Sequence, residues 1–177
     1  MSVGSTCGEG DLTMTVIDEV VAANQQYAAV FDKPNLPMPP ARKLAVVVCM
    51  DARIHPEAAL GIQLGEAHMI RNAGGRVADA LRSLAISQTL LGTDEVAIIH
   101  HTDCGMLTFS DESIRQKLRT ERGVDADAVA FLAFSDLDQS VRDDLATYDK
   151  SPLVRHEIPV RGFVYDVNTG GLREVSA

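Results

Sequence analysis

The 177-residue sequence contains no tryptophan, and aromatic residues make up only 5% of it. It has no apolar run near the ~20 residues that a membrane-spanning helix needs, and its three cysteines are an odd number that does not fit a disulfide scaffold. Basic residues are also scarce, since 16 Lys and Arg stand against 25 Asp and Glu, for a formal net charge of -9. Because such a surface repels polyanions, we expect no nucleic-acid partner. Because no apolar run is long enough to span a bilayer, we expect no membrane partner either.

Residues 1–14 lack the basic and apolar regions of a secretory signal, which predicts a flexible N-terminal leader and a cytoplasmic location. Cys7 lies in this leader among Gly and Ser, and we interpret it as an incidental exposed thiol. Residues 15–177 are enough for one domain that buries about two-thirds of its unfolded surface. We therefore predict that residues 15–177 form a single domain.

Three short runs rich in apolar and β-branched residues predict strands of a parallel sheet: "KLAVVVC", "AHMIRN" and "EVAIIHH". Between the last two, "RVADALRSLAISQTLLG" has apolar residues at helical spacing and completes a βαβ unit. Similar patterns predict helices over about 15–33, 110–122 and 137–151, and a strand, turn and strand over 160–175, while 124–135 fits no clear pattern. The sum is an α/β fold with a central, mainly parallel β-sheet flanked by helices.

The first predicted strand ends in "CMDAR", residues 49–53. In an extended chain every second side chain lies on one face, so Cys49, Asp51 and Arg53 converge. The carboxyl ends of strands in open α/β sheets carry functional groups. This pattern predicts a site at the end of the strand.

A later strand ends in "HHTDCGM", where His100 and His101 must lie on opposite faces. We predict that His101 shares a pocket with Cys104 and that His100 is packed or hydrogen-bonded behind it. Two thiolates, an imidazole and a carboxylate suit zinc better than hard cations. The candidate metal ligands are therefore Cys49, Asp51, His101 and Cys104.

The stretch "RNAGGR", residues 71–76, follows the middle strand and opens the next helix. Its backbone N–H groups could receive an anion, or its glycines could simply permit a tight strand-to-helix turn. The sequence leaves both alternatives open.

"CMDAR", "RNAGG" and "HHTDCGM", in this order, resemble β-class carbonic anhydrases. The preceding "PMPP" and the helical "SLAISQ" are similar to the short bacterial branch of that class. The resemblance implies a four-stranded parallel core with an additional edge strand. It also implies a homodimer or a dimer of dimers, with the N-terminal helix packed across the partner subunit.

The same resemblance implies one zinc ion per subunit, held by Cys49, His101 and Cys104 with either Asp51 or water as the fourth ligand. The implied reaction is reversible hydration of carbon dioxide to bicarbonate and a proton, by attack of hydroxide generated on the zinc. Some relatives with the same ligands instead hydrolyse carbonyl sulfide or carbon disulfide, so the ligands leave the substrate open.

Asp51 and Arg53 are the predicted catalytic residues. Our hypothesis is that Arg53 holds the Asp51 carboxylate off the metal, whereas Asp51 bound to zinc displaces the water and stops the reaction. The alternative is a closed structural zinc site in a non-catalytic module. Asp is an uncommon ligand for a structural site, and Arg53 offers it another partner, which favours catalysis.

Overall fold

The computed structural model describes residues 14–176, and these fall into two units, one extending to Leu36 and one beginning at Pro37. Cys7 and residues 1–13 of the predicted leader lie outside the described residues, so the leader and the domain boundaries stay predictions. Across residues 14–176, no helix is long and apolar enough to cross a membrane. The cytoplasmic location likewise stays a prediction.

Helix α1, Val16–Ala29, begins with a capping box in the first unit. The Thr15 hydroxyl accepts a hydrogen bond from the Asp18 N–H at 3.2 Å, and the Asp18 carboxylate accepts one from the Thr15 N–H at 2.8 Å. The helix ends at Ala29, four residues before the predicted boundary at Lys33, and Val30 is its C-cap. None of its residues is buried.

Within residues 14–176, five strands form one sheet in the order β2-β1-β3-β4-β5. Their bounds are β1 Leu44–Cys49, β2 Ala67–Asn72, β3 Glu95–His101, β4 Val160–Tyr165 and β5 Leu172–Val175. The first four are parallel, and β5 pairs antiparallel with β4 at the edge. The predicted α/β fold, with a four-stranded parallel core and an additional edge strand, is confirmed.

In the described part of the chain, four further helices join the strands: α2 Pro56–Leu60, α3 Val77–Leu90, α4 Asp111–Arg122 and α5 Leu137–Lys150. Helix α3 is the predicted crossover between β2 and β3. The sequence patterns did not predict α2, whose five residues are too few to show helical spacing. Short 3-10 turns follow β2 at Ala73–Gly75 and precede α4 at Gly105–Leu107, and residues 123–136 contain neither helix nor strand.

The core lies on both faces of the sheet. Ala45 and Val47 of β1 pack in one cluster with Leu84 of α3, whereas Val46 and Val48 pack in another with Met106. Strand β1 is therefore buried on both faces, as predicted. Strand β2 is only partly buried because it forms the edge of the sheet. Since β1 and β3 are adjacent and parallel, their carboxyl ends meet at one edge.

Candidate metal centre

Three buried side chains meet where β1 and β3 end. Cys49 is the last residue of β1, His101 is the last residue of β3, and Cys104 follows three residues later. One ligand atom from each, two sulfurs and an imidazole nitrogen, lie within 4.8 Å of one another. Their residues are 5%, 0% and 2% exposed. The structure thus brings together three of the four residues that the sequence nominated as ligands.

The imidazole of His101 is oriented by the backbone carbonyl of the next residue, Thr102. Its Nδ1 lies 2.8 Å from the Thr102 carbonyl oxygen, an acceptor, so Nδ1 carries the proton and donates it. The lone pair then lies on Nε2, which is buried and has no hydrogen-bond partner among the described residues. A buried nitrogen without a partner is costly unless something binds it. This donor state is the one that metal-binding histidines use.

The sulfurs of Cys49 and Cys104 lie close enough to affect each other's ionisation. Their interaction lowers the pKa of Cys49 and raises the pKa of Cys104. Burial opposes the Cys49 thiolate, but the backbone N–H groups of Asp51 and Gly74 favour it. A divalent cation bound among these three side chains would satisfy both sulfurs and the His101 nitrogen. The donor set of two sulfurs and one imidazole therefore fits zinc.

Asp51 lies beside this cluster but is bound by Arg53. The Asp51 carboxylate accepts hydrogen bonds from Arg53 Nε at 3.0 Å, from Nη2 at 2.8 Å and from the Arg53 backbone N–H at 2.9 Å. The guanidinium hydrogen bonds hold the pKa of Asp51 well below its usual range. Asp51 Oδ2 is nevertheless only 3.8 Å from His101 Nε2. A small movement of the carboxylate would bring it to the cluster.

Two residues that sequence reasoning missed contact this segment. Arg71 of β2 donates from Nε to the Cys49 carbonyl at 3.2 Å and from Nη2 to the Asp51 carbonyl at 2.8 Å. Asp103 accepts from Arg53 Nη1 at 2.6 Å. Their positions in the sequence could have indicated a role near the site, because Arg71 begins the "RNAGGR" stretch and Asp103 lies between His101 and Cys104. Their partners, however, are far away in sequence.

The glycine loop after β2 makes a tight turn beneath the cluster. Gly75 has φ +69°, and a Cβ built there would lie 2.9 Å from Cys49 N and 2.9 Å from the Ile99 carbonyl oxygen. Only glycine combines this backbone conformation with so close an approach. The geometry supports the tight-turn alternative for "RNAGGR". Arg71 binds main-chain carbonyls within the protein.

His100 lies apart from the metal cluster, on the side of α5. Its Nδ1 is 2.7 Å from the Ser140 hydroxyl oxygen, and its Nε2 is 2.9 Å from Asp144 Oδ2. Arg76 Nη2 lies 3.2 Å from the other Asp144 oxygen. Phe134 stacks on the His100 ring, with the ring centroids 5.5 Å apart. This buried network connects β3 to α5 behind the metal cluster.

Comparison with known proteins places these residues in a family. A family model described as "Carbonic anhydrase" matches residues 44–172. "Beta-carbonic anhydrase 1" of Mycobacterium tuberculosis is 48% identical over 164 residues, covering 92% of this chain and 99% of that protein. The chain belongs to the β-carbonic anhydrase family. The range that matches the carbonic anhydrase family model contains all three motifs: "CMDAR", "RNAGG" and "HHTDCGM".

Two further relatives of this β-carbonic anhydrase-family chain are a solved structure and a protein with a different name. The crystal structure of the carbonic anhydrase from Streptococcus mutans superposes with a TM-score of 0.88 at 44% identity, covering 93% of this chain and 100% of that one. "Carbon disulfide hydrolase" of Saccharolobus solfataricus is 32% identical and covers 89% of this chain and 88% of that protein. Relatives with two different names thus match most of this chain.

Proposed function

We propose that this chain catalyses the reversible hydration of carbon dioxide to bicarbonate and a proton, with one zinc ion per subunit held by Cys49, His101 and Cys104. The observation that carries the proposal is the buried cluster of these three side chains, with His101 Nε2 left without a partner. A zinc ion held by these three residues would activate a water molecule as the nucleophile at neutral pH. The 48% identity to a β-carbonic anhydrase supports this substrate.

Asp51 and Arg53 have separate roles in the proposed reaction. With its carboxylate ionised and 3.8 Å from His101 Nε2, Asp51 can accept a hydrogen bond from the attacking water and orient it. Arg53 engages both carboxylate oxygens and so keeps Asp51 from becoming a fourth metal ligand. When Asp51 is paired with Arg53 instead of the metal, the site has room for the reacting molecules.

Backbone contacts hold the ligand segment in position for this chemistry. Arg71 bonds the carbonyls of Cys49 and Asp51, so the two side chains are carried on a fixed piece of chain. The Thr102 carbonyl fixes the tautomer of His101. Groups held by such contacts need little reorganisation during the reaction.

The test is a comparison of Asp51→Asn with the wild-type zinc protein by stopped-flow hydration of carbon dioxide at pH 8.5. We expect the variant to lose most of its activity while zinc remains bound through the other three ligands. Asp94→Asn is the matched control, because Asp94 is also in an ion pair, with Lys43 at 3.3 Å, but lies at the opposite end of the sheet. Full activity of Asp51→Asn would refute the proposed role of this carboxylate.

Hydrolysis of carbon disulfide or carbonyl sulfide is the second candidate function. It is supported by the 32% identity to a carbon disulfide hydrolase over 89% of this chain. Release of sulfide from either substrate, with no hydration of carbon dioxide above the buffer rate, would favour it. Absence of all three activities in a zinc-loaded protein would favour a structural zinc site.

We also propose that the chain assembles as a homodimer or a dimer of dimers, with α1 contributing to the contact between subunits. The proposal is supported by the apolar side chains that α1 leaves in solvent, among them Val16, Val20 and Tyr27, which are 73%, 62% and 56% exposed. Light scattering of the purified protein would give its mass, and a monomer would refute the proposal.

A further inference from the structure

Arg53 is bound by a second carboxylate, which the proposed reaction does not use. Arg53 Nη1 donates to Asp103 Oδ2 at 2.6 Å, and Nη2 donates to the Asp103 carbonyl oxygen at 2.9 Å. The other edge of the guanidinium donates to Asp51. Four of the five guanidinium N–H groups are therefore engaged, and Arg53 bridges the end of β1 and the turn after β3.

The backbone of Asp103 has an uncommon conformation. Its φ is +54°, in the left-handed region that residues with a side chain seldom adopt, although Asp and Asn tolerate it best. Its side chain is 76% exposed, so burial does not account for its position. Such conformations persist where surrounding contacts require them, and they cluster at functional sites. Here the main chain and side chain of Asp103 both contact the same arginine.

We propose that Asp103 is a positioning residue that fixes Arg53 in the orientation that withholds Asp51 from the metal. The proposal rests on the function proposed above. Asp103 and Asp51 accept from different N–H groups of the guanidinium, so they do not compete for a proton. The Arg53 side chain is 48% exposed and is anchored at its far edge by Asp103. Without that anchor, the Arg53 side chain can move, and its hydrogen bonds no longer hold the Asp51 carboxylate away from the metal ligands. Asp51 Oδ2 lies only 3.8 Å from His101 Nε2.

The test is a double-mutant cycle on zinc affinity, measured by competition with a chelator. We compare the effect of Asp51→Asn in the wild type with its effect in an Asp103→Gly background. Glycine accepts φ +54° without strain, so this substitution removes the carboxylate and leaves the turn favourable. Charge effects of Asp103 on the metal are the same in both halves of the cycle and cancel.

If Asp103 withholds Asp51 from the metal, Asp51 becomes a better zinc ligand when Asp103 is absent. Asp51→Asn should then lower zinc affinity about two- to fivefold more in the Asp103→Gly background than in the wild type, the range given by exposed charge pairs. An equal loss of affinity in both backgrounds would overturn the proposal. If Asp103→Gly does not fold, Asp103→Asn retains the shape and is expected to give a smaller coupling of the same sign.

Hydration of carbon dioxide gives an independent readout. Asp103→Gly should lower kcat several-fold with zinc fully bound, whereas Asp94→Asn should leave it unchanged. A wild-type kcat for Asp103→Gly would also overturn the proposal. If the wild-type zinc protein hydrates no carbon dioxide but the affinity cycle shows coupling, the proposed function fails and the role of Asp103 in holding Asp51 stands.

Discussion

Replacing Gly75 by alanine should damage both the fold and the metal centre, because this glycine lies against the ends of two strands. Its φ is +69°, and an added Cβ would lie 2.9 Å from Cys49 N, 2.9 Å from the Ile99 carbonyl oxygen and 3.1 Å from the Val48 carbonyl carbon. All three are backbone atoms, which cannot move aside as a flexible side chain can. The added methyl group must therefore push β1, β3 or the glycine loop out of position.

Two costs combine in Gly75→Ala. The left-handed conformation costs a residue with a Cβ about 1–2 kcal/mol. Overpacking against rigid neighbours costs about 1–3 kcal/mol more. We expect the free energy of unfolding to fall by about 2–5 kcal/mol in total. Since Cys49 ends β1 and Ile99 lies two residues before His101, zinc affinity should fall as well.

Gly92→Ala separates the two costs. Gly92 has φ +71°, almost the same as Gly75, but a Cβ there would meet no atom within 4 Å. Urea unfolding should show only the conformational cost of about 1–2 kcal/mol for Gly92→Ala, with zinc affinity unchanged in chelator competition. Equal destabilisation of the two variants, or unaltered zinc affinity in Gly75→Ala, would refute the reasoning that the close approach of Gly75 holds the ligand-bearing strands.

Two further predictions concern buried and half-buried carboxylates. Asp144→Ala leaves Arg76 and His100 without their shared buried partner and should lower the free energy of unfolding in urea by about 3–5 kcal/mol; a loss below 1 kcal/mol would contradict this. Burial raises the pKa of Asp111, but hydrogen bonds from the backbone N–H groups of 131–133 outweigh it, and the net pKa is lowered. The ionised carboxyl therefore stabilises the fold above the ordinary pKa near 4 and loses that effect as the pH falls through the lowered value. Asp111→Asn should cost about 1–2 kcal/mol in urea unfolding at pH 7 and progressively less below about pH 4, and a cost independent of pH would count against this.

Local pattern was sufficient for most of the fold. The runs that became β1 and β3 are rich in β-branched residues, and the helices α3, α4 and α5 have either apolar spacing or a clear cap. Each could therefore be predicted from its own residues. Residues 124–135 could not, because their conformation depends on a distant residue. The Asp111 carboxylate accepts hydrogen bonds from the N–H groups of Phe131 and Ala133, which are 20 and 22 residues away.

In the candidate site, too, some residues could be predicted from the sequence and others could not. Cys49, His101 and Cys104 could be predicted because the period of two and the ends of adjacent parallel strands determine where they lie. Arg71 and Asp103 could not, because each acts through a contact between segments that the sequence separates by 20 to 50 residues. Spacing along one strand does not determine which arginine reaches which carbonyl. Only the packed structure does.

The metal ligands and the groups around Asp51 depend on different forces. Cys49, His101 and Cys104 are at most 5% exposed, so their geometry is as stable as the sheet that carries them. The side chains of Arg53 and Asp103 are 48% and 76% exposed, and their attraction is screened by water and salt. The position of Asp51 is therefore the adjustable part of the site, since a modest change in surface charge can alter it while the ligands remain in place.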